Sequence, residues 1–274
     1  GGWVLLAAAR AAADAAAGDA RCQEEPKCCD GYAAADSGSD KEGPVPHHIA
    51  VIMDGNRRYG QRQFGDSLSG HHAGGEKLRD FVTWCVEAGV QVLTVFAFST
   101  ENWKRSSEEV GQMMSLFLQE VPRLGDRTSA LGVRVRFLVS DPGPVPMELR
   151  VAMQDLERRT ADGEVMQLNV CVSYGGRGDI ARACQQLARD VATGEVEPDA
   201  IDEAAVARRL VTGSLPDPDV LIRTSGEHRL SNFLVFQLAY SELFFIERHW
   251  PEVTRADLLE VIALYKRRHR RYGK

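Results

Sequence analysis

The sequence predicts an α/β fold with a mostly parallel central sheet flanked by helices. Short, continuous apolar runs, which are typical of strands buried on both faces of a sheet, alternate along the chain with segments of helical spacing. Polar loops follow four of these runs, and three of the loops contain Arg together with Gly. Strands that alternate with helices favour a parallel sheet that is covered on both faces.

The first half of the pattern begins with the apolar run from His48 to Met53, which predicts a buried strand. A helix is expected to start near Arg57 and a second helix to cover 74–88. The run from Val90 to Phe98 predicts the next strand, and 107–122 has helical spacing. The apolar side of that helix carries Val110, Met113, Met114, Leu116 and Phe117.

The second half continues the alternation. Strands are expected at 133–139, 168–172, 220–222 and 243–246, and helices at 147–160, 179–192, 203–211 and 255–270. The last helix ends in a basic run. Because ligands of open parallel sheets bind beyond the carboxyl ends of the strands, the residues that follow each strand are candidate site residues.

The composition is that of a globular protein with a sizeable core. The chain has 274 residues, of which 44% are hydrophobic and 26% charged. A net charge of -6 disfavours a broadly basic nucleic-acid-binding surface. Neither a membrane span nor a secretory signal is expected, since no apolar run approaches ~18 residues and no cation precedes the apolar start. Six cysteines without paired metal-binding spacing fit a reduced, cytoplasmic setting.

Residues 1–46 form an Ala-rich, acidic extension that precedes the domain at 47–274. Thirteen of these 46 residues are Ala, and eight acidic residues stand against four basic ones. Alanines favour a helix over 7–17 but bury little area there, so the extension is expected to be mobile and helical only in part.

The loop Asp54-Gly55-Asn56-Arg57-Arg58 has the features of a phosphate site. Free N–H groups at a helix start attract anions, Gly allows close approach, and Arg58 can bind a phosphate with two hydrogen bonds. An Asp beside a phosphate indicates a divalent cation such as Mg²⁺ between them. The same residues also fit an ordinary turn with a capping Asp and solvated arginines.

The loop after the fifth predicted strand indicates a second anion site. Arg223 and Arg229 lie six residues apart, with Gly226 and Ser231 nearby. A surface loop whose charges pair with Glu227 is the alternative. Two such loops at one sheet edge make two phosphorylated substrates a better interpretation than one.

Two further side chains are candidates. Glu242 lies in an otherwise apolar stretch, where a carboxylate needs a metal ion or a cation as partner. His71, expected just before a helix, can contact a phosphate or donate a proton, or can be a capping or core histidine. GxxxxGK[ST], GxGxxG after a strand and GxSxG are all absent, which disfavours nucleotide binding and a nucleophile elbow.

Five long segments, in order, resemble the motifs of the cis-prenyltransferase (undecaprenyl diphosphate synthase) family. They read HHIAVIMDGNRRYG, GHHAG, TVFAFSTENWKR, LNVCVSYGGRGDI and DVLIRTSGEHRLSNFLVFQLAYSELFF, and Arg271-Tyr272-Gly273 is similar to the family's C-terminal RxG motif. The resemblance covers about 47 to 273. It implies a homodimer, an apolar substrate tunnel, and Mg²⁺-dependent condensation of an allylic diphosphate with isopentenyl diphosphate to a cis-polyprenyl diphosphate. A peripheral membrane contact for product release is a further expectation.

The resemblance also implies a role for each matching residue. Asp54 is expected to bind Mg²⁺. Glu242 is expected to complete the metal site, either in the same chain or from the neighbouring subunit of a dimer. The allylic diphosphate is expected to bind to Gly55, Asn56, Arg57, Arg58 and His71. Isopentenyl diphosphate is expected to bind to Arg223, Arg229 and Ser231, while Arg271 and Gly273 reach the second site of the neighbouring subunit. A flexible segment that closes over the substrates would contain Ser99, Asn102 and Trp103, and the residues expected to take part in catalysis are Asp54, Asn56, His71 and Asn102.

One departure from the family pattern affects the choice of reaction. The family usually has Arg where this chain has Ser67, and losing a charge-assisted contact there costs ~1.5–3 kcal/mol of allylic diphosphate binding. Arg62 or His72 are the cations that would compensate. The departure keeps open an irregular, lavandulyl-type coupling of two allylic diphosphates, such as dimethylallyl diphosphate. A non-catalytic subunit of a heteromeric enzyme is a lesser alternative, and the allylic substrate and product length stay open.

Overall fold

The computed structural model describes residues 43–213 and 215–268. Six strands form one sheet in this part of the chain, in the order β3-β4-β2-β1-β5-β6, and every neighbouring pair is parallel. The strands are β1 His48–Ile52, β2 Val92–Ser99, β3 Val133–Leu138, β4 Met166–Tyr174, β5 Val220–Thr224 and β6 Glu242–Ile246. The predicted α/β fold is confirmed, and the sheet is parallel throughout.

Seven α-helices connect or cover the strands in the described residues. They are α1 Asn56–Phe64, α2 Ser67–Ala88, α3 Ser107–Ala130, α4 Met147–Arg159, α5 Gly176–Ala192, α6 Glu203–Arg209 and α7 Arg255–Lys266. Short 3-10 helices cover Thr100–Lys104, Pro198–Ala200 and Trp250–Glu252. None of the helices within 43–213 and 215–268 combines the length and the apolar composition needed to cross a bilayer.

Burial along the strands follows their place in the sheet. All five residues of the central strand β1 are buried, as are all five of β5. The edge strand β3 alternates between buried and exposed residues over its first four positions. Continuous apolar runs therefore identify the strands covered on both faces, as the sequence predicted.

The α2 helix begins seven residues before the predicted start at residue 74. Asp66 caps it, because its carboxylate accepts a hydrogen bond of 2.8 Å from Ser69 N. His71 therefore lies inside the helix and not ahead of it. The Ser- and Gly-rich start has low helix propensity, and tertiary packing outweighs that preference.

Glycines make that packing possible. The backbones of α1 and α2 touch, since a Cβ atom on Gly70 would lie 2.0 Å from Asn56 O and 2.7 Å from Gly60 N. No other residue type leaves room for this approach. The contact fixes α1, which carries the first candidate phosphate loop, against the longer helix.

The α3 helix also extends further than predicted, to Ala130 instead of residue 122. Pro122 lies inside it, yet Val121, Leu124 and Thr128 remain buried on its inner face. Packing of this face against the sheet and α4 outweighs the hydrogen bond that proline cannot form. The last helix, α7, ends at Lys266 and not at residue 270.

Candidate active site

A cavity of about 760 Å³ opens at the carboxyl edge of the sheet, above the ends of β1, β2 and β5. Most of its charged and polar lining comes from the loops after β1, β2 and β5, and its apolar lining comes mainly from β1, β2 and α3. The lining residues are Ile52, Met53, Asp54, Gly55, Asn56, Arg57, Arg58, Gln61, Ser67, His71, Phe96, Ala97, Phe98, Ser99, Asn102, Arg105, Met113, Arg223, Glu227, Arg229 and Ser231. We call it the main cavity.

The loop after β1 is held in a fixed shape. Gly55 has a φ of 97°, in the left-handed region that favours glycine. Its N–H donates a 2.7 Å hydrogen bond to Asp54 Oδ1. Asp54 N donates to Thr224 Oγ1 at 2.9 Å, and Thr224 Oγ1 donates to Asp54 O at 2.7 Å. Strand β5 thus positions the carboxylate that the sequence analysis selected.

Charged side chains alternate in sign across the floor of the main cavity. Asp54 Oδ2 lies 2.8 Å from Arg223 Nη2, and Asp54 Oδ1 lies 3.6 Å from Arg58 Nη2. Glu227 pairs with Arg58 at 3.3 Å and also with Arg229. Arg229 is the main cause that lowers the pKa of Glu227, so Glu227 is ionised at neutral pH. The two predicted anion sites are therefore neighbours that share a carboxylate partner.

Arg223 differs from the other arginines because it is only 2% exposed. Besides Asp54, its guanidinium donates to Ser231 Oγ at 2.8 Å and to the carbonyl oxygen of Arg229. These bonds hold the loop that carries Arg229 and Ser231 against Asp54. Arg223 Nε is buried and donates to none of the described residues.

Asn56 and His71 lie between the polar and the apolar parts of the cavity. Asn56 Nδ2 donates to Met53 O at 3.1 Å, whereas its Oδ1 is buried and accepts no hydrogen bond from the described residues. Burial, followed by the charges of Arg105 and Arg57, lowers the pKa of His71 to about 4. His71 is therefore neutral at pH 7 and can donate one ring N–H.

The segment after β2 is folded as a short 3-10 helix, Thr100–Lys104. Asn102 Oδ1 accepts from Ser99 N at 2.9 Å, which closes a capping box. Trp103 Nε1 donates to Ser173 Oγ at 2.8 Å, and Asn232 Nδ2 donates to Glu101 Oε1 at 2.8 Å. Ser99 and Asn102 line the main cavity, whereas Trp103 anchors the segment from behind.

Three polar residues of the main cavity had no site role predicted from the sequence: Gln61, Arg105 and Glu227. Gln61 follows Arg57 by four residues, a spacing that places both on one face of a helix and could have revealed it. Arg105 ends the TENWKR motif and pairs with Glu109 at 2.9 Å, and Arg57 lies 3.4 Å from the same carboxylate. Glu227 had been considered only as a neutralising partner.

Glu242 does not share a site with Asp54 within one chain. It is the first residue of β6 and pairs with Val220, the first residue of β5, at the amino edge of the sheet. A strand of this length spans ~16 Å, so the carboxyl edge is far away. The Glu242 carboxylate lies 3.6 Å from Arg268 Nη1. Its contribution from across a dimer stays a prediction, and Arg271 and Gly273 lie outside the described residues.

The chemistry of the donor set fits Mg²⁺ only in combination with substrate. Within 43–213 and 215–268, no cluster of three or more His, Cys, Asp or Glu side chains is arranged to hold a metal ion. Magnesium commonly binds through one or two carboxylates together with substrate phosphates and water. One half-buried carboxylate, Asp54, beside two candidate phosphate sites meets that requirement.

A second, smaller cavity of about 100 Å³ lies between α2, α3 and the sheet. It shares Met53, Asn56, His71, Ala97 and Met113 with the main cavity. Its deeper lining is mostly apolar and consists of Gly74, Gly75, Leu78, Arg79, Leu116, Phe117, Glu120, Val121, Leu124, Phe137, Val170 and Trp250. We call it the inner cavity.

Comparisons with known proteins agree with this geometry. The tritrans,polycis-undecaprenyl-diphosphate synthase (geranylgeranyl-diphosphate specific) of Thermococcus kodakarensis is 43% identical over 236 residues, 85% of this chain and 89% of that protein. The ditrans,polycis-undecaprenyl-diphosphate synthase ((2E,6E)-farnesyl-diphosphate specific) of Xanthomonas axonopodis is 45% identical over 229 residues, 84% of this chain and 89% of that protein.

A solved structure is similar as well. Lavandulyl diphosphate synthase from Lavandula x intermedia, in complex with dimethylallyl diphosphate, has a TM-score of 0.80 and 31% identity over 84% of this chain and 99% of that chain. The prenyltransferase family model described as undecaprenyl diphosphate synthase matches residues 52–273. The resemblance seen in the motifs is thereby confirmed: the chain is a prenyltransferase and belongs to the undecaprenyl diphosphate synthase family.

Proposed function

We propose that this prenyltransferase condenses an allylic diphosphate with isopentenyl diphosphate, with Mg²⁺ as cofactor, to give a cis-polyprenyl diphosphate and free diphosphate. The observation that carries the proposal is the pairing of two cationic loops around one carboxylate. Arg58 and Arg229 lie on opposite sides of Glu227, and Asp54 lies next to Arg58. The arginines and a divalent cation held by Asp54 would offset part of the negative charge of two diphosphates.

The allylic diphosphate binds at the start of α1 in this proposal. The N–H groups that begin the helix favour an anion, and Gly55 allows the phosphate to approach the backbone. Arg57 and Arg58 are exposed and add positive charge at the start of α1. His71, neutral at pH 7 in the absence of substrate, can donate a ring N–H to the diphosphate.

Isopentenyl diphosphate binds at the second loop. Arg229 and Ser231 face the main cavity, and Arg223 holds this loop beside Asp54. Arg223 then contributes mainly as a positioning residue, because its guanidinium already donates to Asp54, Ser231 and the Arg229 carbonyl. The two substrates are thereby fixed in a common geometry before reaction.

During condensation the bond between the allylic carbon and its diphosphate breaks, a new carbon–carbon bond forms, and a proton is lost. Asp54 is the side chain that would hold Mg²⁺, which when bound supplies positive charge against the departing diphosphate. Arg57 and Arg58 stabilise the same developing charge. An oxygen of the bound diphosphate would receive the proton, and Asn56, whose Oδ1 accepts no hydrogen bond from the described residues, would help to position the groups between which it moves.

The hydrocarbon tail of the allylic substrate enters the inner cavity. The shared lining of Asn56 and His71 connects a diphosphate site to an apolar space, which matches a molecule with one charged end. This space is our candidate for the expected apolar tunnel. Apolar burial of the tail then adds binding energy without any polar contact.

A homodimer in the cytoplasm completes the proposal. Glu242 lies at the sheet edge opposite to Asp54, too far away to bind a metal ion at Asp54 of its own chain. It would therefore act from a partner subunit. Release of a long hydrocarbon product favours a peripheral contact with a membrane. Sedimentation of the full chain should show a dimer, and a monomer with full activity would contradict the shared site.

Irregular coupling of two allylic diphosphates is a second candidate. Ser67 lines the main cavity where the family usually has Arg, and the structurally similar plant protein is a lavandulyl diphosphate synthase. A weaker allylic site would admit a second allylic diphosphate in place of isopentenyl diphosphate. The arginine loops around Asp54 are compatible with either pair of substrates.

A product assay separates these candidates. Dimethylallyl, geranyl, farnesyl and geranylgeranyl diphosphates are supplied with Mg²⁺, each with and without isopentenyl diphosphate, and the dephosphorylated alcohols are identified by mass spectrometry and NMR. Growth by five carbons only with isopentenyl diphosphate supports regular cis-condensation. Branched products from allylic diphosphates alone support irregular coupling. No product in any mixture contradicts both and supports the non-catalytic subunit.

A further inference from the structure

The inner cavity is small for its expected occupant. An apolar cavity of 150 Å³ admits one benzene molecule, whereas the inner cavity has about 100 Å³. It therefore accommodates roughly one five-carbon isoprene unit. Leu124, Phe137 and Val170 belong to its apolar lining. A longer tail has to enlarge the cavity by moving its walls.

Two charged residues lie in this otherwise apolar wall. Arg79 on α2 and Glu120 on α3 both line the inner cavity and form an ion pair with each other. Their side chains are only 19% and 13% exposed. Charged groups next to hydrocarbon are costly unless they are paired, so the pair is kept together by its surroundings.

Glu120 joins the two helices through more than one contact. Its carboxylate lies 2.9 Å from Arg123 Nη1 on the same helix and 3.7 Å from His72 Nδ1 on α2. Gly75 makes room for it, since a Cβ atom there would lie 2.8 Å from Glu120 Oε2. The carboxylate thus rests against the backbone of α2 and fixes the separation of the two helices.

We infer that the ion pair between Arg79 and Glu120 is a determinant of product length. Each added isoprene unit pushes the tail deeper between α2 and α3. Once the inner cavity is full, further growth separates the helices and pulls Arg79 away from Glu120 beside hydrocarbon. That penalty slows elongation relative to product release. The inference rests on the proposed condensation and on the tail entering the inner cavity.

The double variant Arg79→Ala/Glu120→Ala tests this inference, because removing both partners leaves no buried charge behind. Its products with isopentenyl diphosphate and each allylic diphosphate should be longer than those of the wild type by at least one five-carbon unit. Arg123→Ala is the matched control. Arg123 contacts the same carboxylate, but its side chain is 57% exposed and does not line the inner cavity. Its products should equal those of the wild type.

The double variant Arg79→Met/Glu120→Gln removes both charges with little change in side-chain volume, serves if the Ala variant does not fold, and separates loss of the ion pair from enlargement of the cavity. It should shift the product distribution in the same direction, and an unshifted distribution contradicts the inference. Equal product lengths from an active wild type and a folded double variant overturn the inference alone. A wild type that forms no product with any substrate overturns the proposed function as well.

Discussion

Asp54 combines two roles that substitution can separate at the scale of a single residue. Its carboxylate faces the main cavity, and it also neutralises Arg223, which is 2% exposed. We expect Asp54→Asn to lower turnover by ~10²–10³, the loss typical of a removed charge-stabilising group, and to lower thermal stability less than Asp54→Ala does, because the Asn oxygen can still accept a hydrogen bond from Arg223. Product formation and circular dichroism melts measure the two quantities. Turnover within threefold of the wild type would contradict the assigned metal site.

The more drastic Asp54→Ala should also destabilise the fold. It leaves the buried Arg223 guanidinium with two acceptors, Ser231 Oγ and the Arg229 carbonyl, whereas Asp54→Asn keeps a third, neutral acceptor. Asp54 is 29% exposed, so the loss is smaller than for a fully buried pair, about 2 kcal/mol. Urea unfolding of both variants gives the comparison. Equal stability of the Ala and Asn variants would mean that a neutral acceptor at position 54 does not contribute to the stability of the buried Arg223.

Ser67 tests the departure from the family pattern. Ser67 lines the main cavity, whereas the two cations considered as substitutes point elsewhere: Arg62 pairs with Glu252, and His72 lies 3.7 Å from Glu120. We therefore expect Ser67→Arg to tighten allylic diphosphate binding about tenfold, as one charge-assisted contact should. Titration calorimetry measures it. Ser69→Arg, two residues along and outside the main cavity, is the control, and equal affinities of the two variants would refute the expectation.

At the scale of secondary structure, the sequence predicted the strands better than the helix ends. The buried strands β1 and β5 appear as apolar runs because both faces of each are covered. The start of α2 depends on the contact between Gly70 and α1, which no local pattern reveals. The same difference between local pattern and tertiary contact applies to the candidate site. Strand-end loops could be found from sequence alone, whereas the partner of Glu242 depends on topology and assembly.

Gly70 links the packing of two helices to the site. A methyl group there would meet Asn56 O at 2.0 Å, so Gly70→Ala has to push α1 away from α2. We expect a loss of ~1–3 kcal/mol of unfolding free energy, typical of overpacking, and weaker allylic diphosphate binding because α1 carries Asn56, Arg57 and Arg58. Gly111→Ala is the control, since nothing lies within 4 Å of its Cβ position in α3. It should stabilise by ~0.5–1 kcal/mol. Equal stability of the two variants would contradict this account.

At the scale of the whole molecule, the two edges of the sheet have different polar networks. The carboxyl edge carries the charged residues of the main cavity, which are the groups proposed to bind the substrates. At the amino edge, His48 bonds Pro216 O through Nδ1 at 2.7 Å and Thr94 Oγ1 through Nε2 at 2.8 Å. Asn169 Nδ2 donates to the same Thr94 oxygen at 3.0 Å. The side chains of His48, Thr94 and Asn169 are uncharged at pH 7, and their hydrogen bonds join β1, β2, β4 and the segment before β5.

His48 makes the stability of the fold depend on pH without affecting the site. The residue is 1% exposed, and burial lowers its pKa from 6.5 to about 4. Below pH 6.5, His48 binds a proton in the unfolded chain but stays unprotonated in the folded chain. The free energy of unfolding therefore falls as the pH decreases towards 4. The full loss is about 3 kcal/mol.

His71 and other groups titrate in the same window, and the comparison with His48→Gln isolates the contribution of His48. Urea unfolding from pH 7 to pH 4 should show a steeper decline for the wild type than for His48→Gln, and parallel curves would refute the assignment. Because the network lies at the edge opposite to the main cavity, KM for both substrates at pH 7.5 should be the same in the two proteins.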